Sequence, residues 1–72
     1  MESEEIIEAL SALAQTTRIT VFRTLVAAEP DGLAAGDLAR RLGVPPNTLS
    51  THLAILARAG LVTADRRGRF VL

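Results

Sequence analysis

Apolar residues recur at helical spacing through four stretches of the chain and change to a two-residue period only near its end. Ile6, Ile7, Leu10, Leu13 and Ala14 form one stripe, and Ser3 ahead of it, with Glu4 and Glu5 in the opening turn, predicts a first helix capped by Ser3 and running to about Ala14. Thr16 or Thr17 is placed to cap a second helix, in which Ile19, Phe22, Leu25 and Val26 recur until the turn Glu29-Pro30-Asp31-Gly32 stops it. Leu33, Ala34 and Ala35 read either as a short extended piece or as the lead into a third helix. That helix turns Leu38, Ala39 and Leu42 inward and uses Gly43 as its C-terminal cap. Pro45 and Pro46 suit the first turn of a fourth helix, where the amide that proline lacks would have no partner within the helix anyway. Leu49, Leu53 and Leu56 follow on one side of it, and Gly60 ends it. From Leu61 onward Val62 and Ala64 precede Arg66-Arg67-Gly68, and Phe70 and Leu72 follow, which predicts a two-stranded hairpin. Neither a repeat nor a linker interrupts the pattern, so residues 1–72 read as a single domain.

A short helix, a break at Gly43-Val44-Pro45 and a longer helix with one apolar face make a helix-turn-helix. The short turn sets the second helix steeply across the first, so that one face packs inward while the other projects, narrow enough to enter a major groove. With the leucines inward, Asn47, Thr51, Ala54 and Arg58 fall on the outer side: polar at the start, small in the middle, cationic at the end. Asn47, Thr48 and Thr51 are placed to reach bases or sugars, because Asn offers adenine a paired donor and acceptor and a Thr methyl can touch thymine. Ser50 and His52 flank that face and suit phosphates, although His52 lies close enough to the leucine row to be a partly buried structural histidine instead. The expected fold is mainly helical: four helices plus a two-stranded wing, a winged helix-turn-helix.

Charge sharpens this picture. The 72 residues carry eight cationic and eight acidic side chains, for a net charge of zero. Yet residues 1–36 hold Arg18 and Arg23 against six carboxylates, a net of −4, while residues 37–72 hold six arginines against Asp37 and Asp65, a net of +4. A basic half set against an acidic one is the footprint of a domain that docks on a polyanion, although a solvated charged surface reads the same way. Arg41 belongs to the basic half, and Arg66, Arg67 and Arg69 cluster at the hairpin tip. Such a tip can lie along a phosphate backbone or enter the minor groove; the plainer alternative is an exposed turn kept soluble by charge.

Other functions find little support. A chain of this length buries only about 60% of the surface its unfolded form exposes, which leaves little room for an enclosed catalytic cleft. No nucleophile stands beside a base, no Gly-rich loop follows a strand, and Ser50 and His52, two apart, do not face each other on a helix. The expectation is a non-enzyme without a cofactor. With no cysteine and one histidine there is no disulfide framework and no metal site at ligand spacing. The acidic start and the absence of a long apolar run predict a soluble, cytoplasmic protein.

Leu49-Ser50-Thr51-His52-Leu53, then Leu56, then Ala59-Gly60-Leu61-Val62 resembles the recognition helix and the start of the wing in the ArsR-type winged-helix repressors of bacteria. Upstream, Leu13-Ala14-Gln15-Thr16-Thr17-Arg18-Ile19 is similar to that family's first helix junction, and Asp37-Leu38-Ala39 with Leu42-Gly43 to its third helix. The resemblance implies a sequence-specific, dimeric repressor of double-stranded DNA. Ala34 and Gly36 stand where many metal-sensing members carry a Cys-x-Cys pair, so that sensor is not expected, and no small-molecule or metal effector is evident. The family's usual fifth helix, which supplies dimer contacts, would follow Leu72. Either Ile6, Ile7 and Leu10 form most of a homodimer interface, or the sequence is the DNA-binding portion of a longer product. A winged-helix protein-interaction module without DNA specificity is the alternative function.

Overall fold

The computed structural model describes residues 2–72. Helix α1 spans Ser3–Leu13, α2 Thr16–Ala27, α3 Ala35–Leu42 and α4 Pro46–Arg58; the strands are β1 Leu33–Ala34, β2 Thr63–Ala64 and β3 Arg69–Val71. This is the winged helix-turn-helix that the periodicity implies, with local differences that have physical causes.

Both early caps fall one residue or more before the expected ones. Glu2, not Ser3, precedes the first turn of α1, and its backbone N–H donates to Glu5 Oε1 at 3.1 Å. The longer carboxylate reaches back across three residues in the manner of a capping box, so Ser3 becomes the first helical residue. At α2 the Gln15 side chain accepts from the Arg18 N–H at 2.9 Å, and Thr16 and Thr17 lie within the helix. The inward face of α2 also differs: Val21 and Leu25 are buried and Phe22 half-buried, whereas Ile19 and Val26 are exposed. Rotating the face toward Val21 brings α2 against both α1 and α4.

Gly43 closes α3 in the left-handed conformation at φ 65°, and its N–H donates to the Ala39 carbonyl. Pro46 opens α4 where no intrahelical amide is needed. The core joins all four helices to the sheet: Ala12, Val21, Leu25, Leu38, Ala39, Leu49, Leu53, Leu56 and Val62 are buried. Among the described residues no polar or charged side chain is buried with them.

The sheet has three strands, in the order β1-β3-β2, all antiparallel, where a two-stranded hairpin was expected. β3 lies in the middle, with Leu33 opposite Phe70, Ala34 opposite Arg69, and Thr63 opposite Val71. Leu33 and Ala34 are thus strand and Ala35 begins α3, so both readings of that stretch hold in part. Val62 and Phe70 turn toward the core, whereas Ala64 and Leu72 are exposed. Gly32 makes the third strand possible. It is buried at φ 73°, and a Cβ there would collide with the Phe70 carbonyl.

Candidate nucleic-acid interface

Gly43, Val44 and Pro45 are the whole turn between α3 and α4, and α4 packs on α1, α2 and α3 at once. Leu49, Leu53 and Leu56 are 0–2% exposed, so the orientation of α4 about its own axis is fixed by its apolar side. Asn47, Thr48, Ser50, Thr51, Ala54 and Arg58 are all exposed on the remainder. The Thr51 hydroxyl donates to the Asn47 carbonyl at 3.3 Å, which settles its proton within the helix and leaves its methyl group and lone pairs outward. Arg58 shares a shallow groove of about 280 Å³ with Glu8, Ser11, Arg18 and Ile55, at the junction of α1 and α4. His52 is half-buried, and its Nδ1 lies 3.3 Å from a terminal nitrogen of Arg18. Of its two sequence readings, the structural contact is the one visible here.

The wing arginines do not form one set of free cations. Arg66 is exposed and makes no ion pair among the described residues. Arg67 folds back, donating from Nε and a terminal nitrogen to Asp65 Oδ2 at 3.1 and 2.8 Å and to the Asp31 carbonyl at 3.4 Å. Arg69 is half-buried in β3. Asp65 organises the turn: its Oδ1 accepts from the backbone N–H of Arg67 at 2.9 Å and of Arg69 at 3.0 Å. Gly68 completes the turn at φ 76°. The Arg67 guanidinium, and then the Arg69 backbone donor, hold the Asp65 carboxyl below its usual range, because each bond favours the charged form.

Arg41 stands elsewhere. It is exposed at the end of α3 and lines a groove of about 430 Å³ with Thr20, Arg23, Thr24, Ala27 and Ala28 of the α2 side. Neither Asn47 nor Arg66 lines that groove. Helix α1 leaves Ile6, Ile7 and Leu10 exposed at 43, 63 and 62%. Residues 13–64 match the family model described as a helix-turn-helix domain.

The chain belongs to the helix-turn-helix domain family. The matched stretch takes in α2, β1, α3, α4 and β2, and so contains the whole turn and the outward face of α4. Most of α1, the wing tip and β3 lie outside it. No curated protein matches the sequence. This helix-turn-helix domain is thus of the DNA-binding regulator class, with a three-stranded sheet whose Phe70 packs against the core of the four helices. Among the described residues no helix is long and apolar enough to cross a membrane, and no group of three metal-ligating side chains comes together.

Three residues of this domain escaped the sequence reading as site residues. Asp65 had a signal, since Asp four residues before the end of Asp-Arg-Arg-Gly-Arg is a common start for a turn that its side chain stabilises. Arg18 and Arg23 had none, because the partner that gives each its place in a groove or contact, His52 for Arg18 and Arg41 for Arg23, is distant in sequence.

Proposed function

We propose that this helix-turn-helix domain is a sequence-specific regulator of transcription that binds double-stranded DNA, acts as a repressor and works as a homodimer. One observation carries the reading: α4 is anchored by three fully buried leucines and displays Asn47, Thr48, Ser50 and Thr51 outward, with no long side chain among them. Short polar groups on a rigid helix can approach base edges, whereas longer charged ones would hold the helix off. In this reading Asn47, Thr48 and Thr51 meet bases or sugars, and Ser50, His52, Arg58 and Arg41 meet phosphates. Arg66 leads the wing onto the backbone, with Arg67 and Arg69 supporting its shape as well as its charge. The repressor role rests on the resemblance to ArsR-type regulators.

Homodimerisation through Ile6, Ile7 and Leu10 is supported by their exposure, since three neighbouring aliphatic side chains on one helix leave water only against a partner. A two-fold dimer of this kind reads half-sites about 10 base pairs apart. The same exposed face favours a second reading, an interaction module that binds another protein and no particular DNA.

Selection of bound duplexes from a random library, with the mass in solution from light scattering, tests both. Enrichment of a palindrome together with a dimer mass is the expected result. No enrichment of any sequence at low salt would leave the interaction module.

A further inference from the structure

The contact between Arg18 and His52 joins three helices. Arg18, in the first turn of α2, donates from Nε to the Ala12 carbonyl of α1 at 2.6 Å and places a terminal nitrogen 3.3 Å from His52 Nδ1 on α4. A guanidinium has donors and no acceptor, so the bond is made only if Nδ1 is the lone-pair nitrogen. The ring proton then sits on Nε2. That second nitrogen has no hydrogen-bond partner within the described residues, and since no buried polar side-chain atom there lacks a partner, Nε2 reaches solvent. The groove alongside contains Glu8 of α1 and Arg58 of α4 as its other charged groups.

We infer that Arg18 is a positioning residue for the recognition helix: it ties α4 to the end of α1 through His52 Nδ1. It thereby fixes the ring tautomer with the proton on Nε2, poised to donate to a phosphate oxygen of duplex DNA. The donor role rests on the DNA-binding reading above; the tie and the tautomer do not. His52 thus serves both of the roles that its place near the leucine row suggested, one through each ring nitrogen. Because the guanidinium spans two acceptors on different helices, replacing it by a single ammonium cannot preserve both bonds in the same geometry.

Two isosteres separate the nitrogens. The side-chain carbonyl of His52→Asn can occupy the place of Nδ1 and keep the bond to Arg18, with nothing at Nε2. His52→Gln can put its amide N–H at the place of Nε2 and offers Arg18 no acceptor at Nδ1. With the full chain, His52→Asn is expected to melt with the parent and to bind a selected duplex about fivefold more weakly, as for one lost hydrogen bond. His52→Gln and Arg18→Lys are each expected to melt lower, and the double variant no lower than Arg18→Lys alone, because the bond to Ala12 does not involve His52. In proton–nitrogen correlation spectra of the neutral ring, the proton is expected on Nε2, and the Nδ1 resonance is expected to move in Arg18→Ala. A proton on Nδ1, an Nδ1 resonance indifferent to Arg18, or additive effects of Arg18→Lys and His52→Gln would overturn the tie. If the tie holds and His52→Asn binds duplex as the parent does, the donor role falls alone. A parent that binds no duplex would instead refute the DNA reading.

Discussion

Helices α1 and α4 carry similar apolar stripes and meet opposite fates. In α4, Leu49, Leu53 and Leu56 are 0–2% exposed, while in α1, Ile6, Ile7 and Leu10 are 43–63% exposed. The inward side of α1 is made by a buried Ala12 and a partly buried Leu13, and it ends where Arg18 bonds the Ala12 carbonyl. A stripe of large aliphatic residues therefore does not by itself say that a helix is covered within its own domain. For α4 the partner is the core and the free face is polar; for α1 the free face is the apolar one.

Removing one side chain from each stripe tests that contrast most strongly. Leu53→Ala leaves a cavity at the centre of the core and should cost about 2–5 kcal/mol, read from denaturant unfolding. Because a domain of this size has little stability to spare, that loss leaves much of the chain unfolded at ambient temperature. Gly32→Ala should come next. A Cβ at φ 73° is strained by itself, about 1–3 kcal/mol, and it also forces the Phe70 carbonyl away, so β1 should lose its exchange protection.

The arginines sharpen the comparison at the level of binding. Arg66→Ala should weaken duplex binding to all sequences and lower the slope of log affinity against log salt by about 1. Arg67→Ala should change that slope less, since Arg67 is already paired with Asp65. Ile7→Ser on α1 should alter the stability of the isolated subunit by no more than about 0.5 kcal/mol. It should nonetheless shift the mass of the protein toward the monomer in light scattering. The smallest effect concerns pH. The folded Asp65 carboxyl ionises below its usual range, so its stabilisation of the wing is present above the unfolded value and is lost as pH falls through the folded one. The melting difference between the parent and Asp65→Ala should accordingly be full near neutrality and shrink in acid.

Helix positions were legible because their signals are local: Pro46 at the start of α4, Gly43 after α3, and leucines four and three apart between them. The exposure of Asn47, Thr51, Ala54 and Arg58 followed from the same geometry, once the leucines fixed the inward side. What escaped was non-local or shared. β1 is two residues long and pairs with β3, whose Phe70 lies far along the chain from Leu33. No period can show in two residues. Val21 outcompeted Ile19 and Val26 for the core because the packing of three helices, rather than spacing within one, chose the face. The three wing arginines were equal in sequence, and only Asp65 made them unequal.

In the proposed mode of binding the polar face of α4, and not the apolar face of α1, receives DNA. Backbone amide shifts of the full chain, followed during titration with a selected duplex, test it most directly. The largest changes are expected at Asn47, Thr48, Ser50 and Thr51, with a second set at Arg66. Changes confined to residues 6–10, with α4 silent, would contradict it.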